Sequence, residues 1–267
     1  MRSRVNSRKF PIVCLIISLM SLICSLSANQ ESLDRKEIEK YLKQARIGGD
    51  WRSSVTRTEA FFVDLDDGKI ERRGFVKFTD KPRPIFAADS YKYGLAAYGM
   101  DKLLDVNIIP PAVERVINGR KASLQICIDV MATEERRRLE NINPPDHEKF
   151  YNALEEIKVF EYLVYSKSLC IKDDLADILI TKEWKVWRVD FSEAFEPSPE
   201  LIEGCEITRC SRKLYQSLQQ IEDKKIKSKL KKYLNKDEIE ALLKRKKLII
   251  ETIQKLIEEK GEAAVLF

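Results

Sequence analysis

Histidine is nearly absent. The 267-residue sequence has one, His147, in a "PPDHE" stretch that reads as a surface turn. With its one histidine read as a surface residue, neither Ser-His-Asp nor histidine-built metal chemistry is expected. Cys205 and Cys210 do not have zinc-ligand spacing either. An excess of charge is missing too: there are 48 basic and 43 acidic residues. Arg2, Arg4, Arg8 and Lys9 belong to the leader described below, and without them 44 basic face 43 acidic residues. That balance gives nucleic acid no electrostatic handle, and no nucleic-acid partner is expected. Repeats, low-complexity tracts and long linkers are also absent.

The leader is the first positive feature. Its four basic residues precede "PIVCLIISLMSLICSLSA", uncharged and rich in Ile, Leu and Val, with small residues at Ser25, Ser27 and Ala28. This pattern predicts a secretory signal peptide over residues 1–28. An uncleaved anchor is the alternative, and only that case brings membrane contact. A lipoprotein site at Cys24 is disfavoured by the bulky Leu22 and Ile23 before it. In either case the positive-inside rule places the rest of the chain outside the cytoplasm, periplasmic or extracellular. Cys127, Cys170, Cys205 and Cys210 remain after cleavage, and in an oxidising compartment four cysteines allow three pairings. Cys205 and Cys210 are close enough in sequence to bridge locally, and a Cys127–Cys170 bond would pin a central loop to the first half.

Periodicity gives an α+β order. A helix is expected over Ser32 to Ala45, then the glycine-bearing loop "RIGGDWRSS". Two strands around Asp67-Gly68 follow, and the "KPRPIF" stretch reads as a proline-stiffened loop. In the second strand Phe75 and Lys77 share a face. A helix capped by Asp89 or Ser90 precedes a second hairpin around Asn118-Gly119. The second half is mainly helical. Phe150, Leu154, Ile157, Phe160, Leu163 and Val164 mark a long helix, followed by a polar loop, a short hairpin ending in Asp190, and helices expected over Leu214 to Leu234 and Lys236 to Lys260. Asn235 with Glu238 is a cap signature for the last, and the lysine run "DKKIKSKLKK" reads as a solvated face. The expected organisation is a sheet lobe with one helix (29–132) and a mainly helical lobe (133–267), the chain order of a two-lobed protein-kinase-like fold.

Particular stretches sharpen this. "DSYKYGLAAYGMDKLLDVNIIPPAVERVINGRKASLQ", "KVFEYLVY", "DILITKEWKVWRVDFSEAF" and the terminal "YLNKDEIEALLKRKKLIIETIQKLIEEKGEAAVLF" resemble a family of uncharacterised bacterial kinase-like proteins. That family is distantly similar to HipA-type kinases and to secretory-pathway kinases acting on casein-like substrates, and the resemblance covers most of the mature chain. It implies ATP with Mg²⁺ or Mn²⁺ as cofactors. Lys77 would hold nucleotide phosphates and Asp190 would bind metal. Gly94 stands where the family has a helix glutamate that aims the lysine. Glu114, a nearby acid, lies on a later strand.

Between the long helix and the following strand the family pattern resembles Tyr-Asn-Thr-Asp-Arg-Asn-x-Gly-Asn, and this chain reads "YSKSLCIKDDLAD", about four residues longer. Ser168 or Lys172 falls on the catalytic aspartate, depending on the side of alignment. Asp173 and Asp174 are the candidate replacements for it, and Asp177 stands at the metal-binding asparagine. Gly48 and Gly49 are a candidate phosphate loop. The leading expectation is an exported pseudokinase that still binds nucleotide, metal or a protein partner. The alternatives are an active phosphotransferase acting on a protein, sugar or lipid hydroxyl, and a non-catalytic envelope interaction domain.

Overall fold

A computed structural model describes residues 34–53, 58–81 and 88–267. The expected signal peptide and all of the "KPRPIF" stretch except Lys81 lie outside them. Among the described residues no helix is long and apolar enough to cross a membrane.

Helix α1 (Arg35–Gln44) is capped by the Asp34 side chain at Lys36 N. It lies on a sheet of the short edge strands β1 (Arg46–Ile47) and β2 (Arg52–Ser53) with β3 (Ala60–Asp66), β4 (Glu71–Lys77), β7 (Ala112–Ile117) and β8 (Arg120–Ile126). The order is β1-β3-β4-β8-β7, with β2 also on β3, and every pairing is antiparallel. The two hairpins form where the sequence predicts them. Gly68 has φ +86° and the Asp67 carboxylate accepts from Lys69 N and Ile70 N. Asn118 and Gly119 are both left-handed, as a two-residue type I′ turn requires. Strand alternation then divides the sheet. Val63, Leu65, Val76, Leu124 and Ile126 face α1 and form one core with Leu42. Phe75 and Lys77 project from the other face.

Strands β5 (Asp80–Lys81) and β6 (Asp89–Ser90) form a two-stranded ladder that leads into helix α2 (Tyr91–Leu104), capped by the Ser90 hydroxyl. Helix α2 is buried almost all round and belongs to the same core as the helices that follow. The helical lobe begins with a three-stranded sheet of β9 (Ala132–Thr133), β10 (Ile178–Ile180) and β11 (Val186–Arg188), in the order β11-β10-β9. Because Ala132 pairs with Ile180, strand β9 belongs with this lobe. Helices α3 (Glu134–Leu139), α4 (His147–Val164), α5 (Arg212–Gln220), α6 (Asp223–Leu230), α7 (Lys236–Lys260) and α8 (Glu262–Val265) complete it. Helix α4 buries the six residues its periodicity marks, and both hydrogen bonds of the Asn235–Glu238 capping box form at α7. This is the expected α+β order, a sheet lobe followed by a mainly helical lobe.

One helix differs from its expectation. The periodic run from Leu214 to Leu234 breaks at Ile221, whose extended backbone (ψ 123°) turns its side chain into the core. Lys246 secures the break through Ile221 O and the Asp223 carboxylate. Two glycines give opposite packing tests. A Cβ at Gly74 would lie 2.8 Å from both Leu124 Cδ1 and Leu65 Cδ1, whereas one at Gly94 would meet nothing within 4 Å. Gly74→Ala is expected to destabilise by about 1–3 kcal/mol through overpacking. Gly94→Ala should stabilise by up to about 1 kcal/mol, the helical cost of glycine. Urea unfolding of the two variants checks both signs.

Candidate active site

Lys77 is the last residue of β4, where β3 and β8 flank it with Ala60 and Ser123 in register. Its ammonium lies 2.8 Å from Asp89 Oδ1 and 3.5 Å from Asp190 Oδ1. The Lys77 and Asp89 side chains are only 8% and 15% exposed, while Asp190 is 43% exposed. Asp190 thus forms the open side of the cluster. The three groups come from the sheet, from the strand ahead of α2, and from the turn after β11, so both lobes contribute. Asp89 was read in the sequence only as a possible cap. The cap is Ser90, which leaves the neighbouring carboxylate for the lysine. The one sequence signal was two adjacent possible caps, Asp89 and Ser90, of which a helix start uses one.

The turn is built locally. Asp190 has φ 57°, a left-handed conformation that Asp tolerates, and Ser192 N donates to its Oδ1 at 3.1 Å. Burial raises the Asp190 carboxyl, but the Lys77 charge and the Ser192 hydrogen bonds outweigh it and hold the group below the usual range. Asp177 sits across the hairpin: Ile178 pairs with Arg188, and Val189 N donates to Asp177 O at 3.0 Å. Its carboxylate is 3.3 Å from Arg188 Nη1. Burial pushes it up to about 7, partly opposed by Arg188 and reinforced by the negative charges of Asp190, Asp174 and Glu161. Arg188 is fully buried and pairs with the equally buried Glu161 of α4 at 2.6 Å.

The loop between α4 and β10 is compact. Asp174 N donates to Ser168 O, and Ile171 N and Lys172 N both donate to Lys167 O. Leu169 N donates to Glu161 Oε2 at 3.0 Å. Three links join this loop to the segment after Asp190: Lys167–Glu196, Lys172–Glu193 and a Cys170–Cys205 disulfide with Cα atoms 6.0 Å apart. The disulfide is neither of the two bridges singled out from the sequence. Cys210 is buried in a bridge with Leu266. Cys127 lies beside Arg73 in the first sheet, its N–H on Arg73 O. Both remain free, and burial pushes their thiols up to about 12 and about 11.

The remaining candidates divide. Asp173 faces away, 72% exposed and 3.8 Å from Arg138, with no ion pair to Lys77 among the described residues. Asp174 is half-buried and close enough to raise Asp177. Gly48 and Gly49 are not with the cluster. Because β1 and β2 both pair with β3, the glycines form a bulge in one edge strand rather than a loop between two strands. Gly48 N bonds to Asp64 O, four residues along β3 from the Lys77 partner Ala60, about 13 Å at roughly 3.3 Å per residue. Open depressions over Gly49–Arg52 and beside Glu156 and Phe267 also lie outside the cluster.

Among the described residues no group of three His, Cys, Asp or Glu side chains is placed to hold a metal. Two hard carboxylates suit Mg²⁺ or Mn²⁺ all the same, since such ions take one or two protein carboxylates and complete their shell with water and phosphate. Burial is the main cause of the elevated Asp177 carboxyl, with the charges of Asp190, Asp174 and Glu161 adding to it against Arg188. No protein-family model matches this chain, and no curated protein does. Among solved structures it is similar to CtkA, a proinflammatory kinase of Helicobacter pylori. The identity is 8%, the likeness covers 82% of this chain and 96% of that one, and the TM-score is 0.48. A likeness at that level establishes neither membership nor function.

Two outcomes are expected. Cys170→Ser or Cys205→Ser, by opening a loop with a sequence separation of 35, should lower stability by about 2–4 kcal/mol in denaturant unfolding. For Asp177 the folded carboxyl titrates near 7 and the unfolded one near 4, so the folded state holds the extra proton between them. Its contribution to stability is therefore greatest below about pH 4 and falls as pH rises to about 7. Relative to Asp177→Asn, the wild-type melting temperature should fall progressively between pH 5 and pH 8.

Proposed function

We propose that this is an exported kinase-like protein that binds a nucleotide with Mg²⁺ or Mn²⁺ at the Lys77–Asp89–Asp190 cluster, and that it transfers phosphate slowly or not at all. The observation that carries the reading is the meeting of Lys77, Asp89 and Asp190 at the junction of the two lobes. Lys77 offers a point charge with three donors to phosphate oxygens. Asp190, ionised and partly open to solvent, and Asp177 beside it are the residues that would hold the ion. When bound, such an ion neutralises phosphate charge. Beside Lys77 on the same sheet face, Phe62 and Phe75 pack 5.1 Å apart, with Phe62 partly exposed, an apolar shelf for a base.

Weak transfer is inferred from the loop. Asp173 is turned to Arg138, and Lys172, at a base position, is tied to Glu193. General-base assistance is worth roughly 10²–10⁴ in rate, and its loss leaves binding intact. The alternative, an active kinase acting on a protein, sugar or lipid hydroxyl, gains support from Asp89. Positioning dominates phosphoryl transfer, and here the lysine has an acid partner despite Gly94. Export is supported by the leader and by the disulfide, which suits an oxidising compartment.

Thermal unfolding with and without ATP and Mn²⁺ tests the reading. Nucleotide at 100 times its dissociation constant should stabilise by about 2.7 kcal/mol, roughly 5–10 °C for a domain of this size, and Asp190→Ala should abolish the shift. No shift at millimolar nucleotide would leave the interaction-domain reading. A labelled-phosphate assay separates the other two: turnover near ordinary kinase rates would overturn the pseudokinase.

A further inference from the structure

The partner of Lys77 comes from an unexpected place. Asp89 precedes helix α2 and is held by short backbone links. Lys81 and Asp89 are register partners in the β5–β6 ladder, and the Ser90 hydroxyl donates to Asp80 Oδ1 at 2.7 Å. Ser90 N donates to Ser192 O at 2.9 Å, which fastens this segment to the turn carrying Asp190. The Asp89 carboxylate has no part in capping α2, because the Ser90 side chain accepts from Lys92 N. Its Oδ1 is buried and lies 2.8 Å from the Lys77 ammonium, its ion-pair partner among the described residues. A nearly buried ion pair gives back little net stability after desolvation, so its consequence is the position it imposes.

We infer that Asp89 is the positioning residue for Lys77, and that the Ser90–Ser192 bond and the enclosed helix α2 keep the Lys77–Asp89 pair assembled independently of any ligand. The first clause rests on the nucleotide reading; the second does not. The Lys77 ammonium has three N–H donors and lies between the Asp89 and Asp190 carboxylates, so a phosphate oxygen would share it with both. In protein kinases the corresponding acid rides on helix αC, whose positioning controls activity. Here the acid sits outside the helix, on a segment bonded to both lobes. Helix α2 packs against the sheet on one side and α6 on the other, so no swing of that helix is needed to form the pair.

Two measurements on the full chain test this separately. The first is acylation of lysine amines, followed residue by residue by peptide mass spectrometry without nucleotide. Asp89→Asn should raise the Lys77 labelling rate at least fivefold, with exposed Lys236 and Lys247 unchanged, and Asp89→Glu should keep Lys77 slow and serve as the folding control. An unchanged Lys77 rate in folded Asp89→Asn protein overturns the preassembled pair. The second is a double-mutant cycle on Mn²⁺-ATP affinity. Asp89→Asn should weaken binding about tenfold, Asp89→Glu should recover part of it, and Asp89→Asn should cost nothing further in a Lys77→Met background. Independent, additive losses would overturn the positioning role. If the wild-type protein binds no nucleotide, the functional reading and the positioning role fall together, while labelling still decides whether the pair exists.

Discussion

A buried ion pair between Arg188 and Glu161 fixes the geometry on which the candidate site depends. Both side chains are fully enclosed. Desolvation offsets most of the attraction in such a pair, while removing one partner strands a charge in the core. What the pair does is join three elements. Arg188 lies on β11 and its guanidinium also reaches the carbonyls of Val189 and Asp177. Glu161 lies on α4 and its second oxygen takes Leu169 N at the start of the loop that follows. The hairpin end bearing Asp177 and Asp190 is therefore clamped to the central helix of the lobe, and the loop is gathered at the same point.

Around that clamp the two lobes converge. The sheet delivers Lys77, the strand ahead of α2 delivers Asp89, and the hairpin end delivers Asp190. The environments of the two hairpin carboxylates separate them. Asp190 is held ionised by Lys77 and Ser192, whereas Asp177 is pushed toward neutrality by burial and neighbouring acids. The loop outside them is held to the segment after Asp190 by a disulfide and two ion pairs. That construction suits holding a charged ligand in place. It does less for proton abstraction, because the loop carries Asp173 outward to Arg138.

The legible parts of the fold were those set by local chemistry. Asp67-Gly68 and Asn118-Gly119 specify their turns, Asn235 with Glu238 specifies a helix start, and the apolar spacing of α4 marks its buried face. Parts that depend on distant contacts were not legible. Cysteine spacing cannot say that Cys170 meets Cys205, because the pairing is set by how two loops pack. Gly48-Gly49 looks like a phosphate loop in one dimension, but both flanking strands pair with β3, which turns the pair into an edge bulge. Ile221 breaks a helical run because the core takes its side chain. At the site, strand alternation placed Lys77 on a face with Phe75, and the end of the hairpin marked Asp190. Asp89 was overlooked because an acid before a helix ordinarily caps it, and only the structure shows Ser90 doing that work.

The most direct test of the central claim is to count bound Mn²⁺ by electron paramagnetic resonance, with and without ATP, in the wild type and in Asp190→Ala. The account predicts ATP-dependent retention of Mn²⁺ by the wild type at near-stoichiometric levels and its loss in the variant. Equal signals from both proteins, or no retention by the wild type at millimolar ATP, would contradict it.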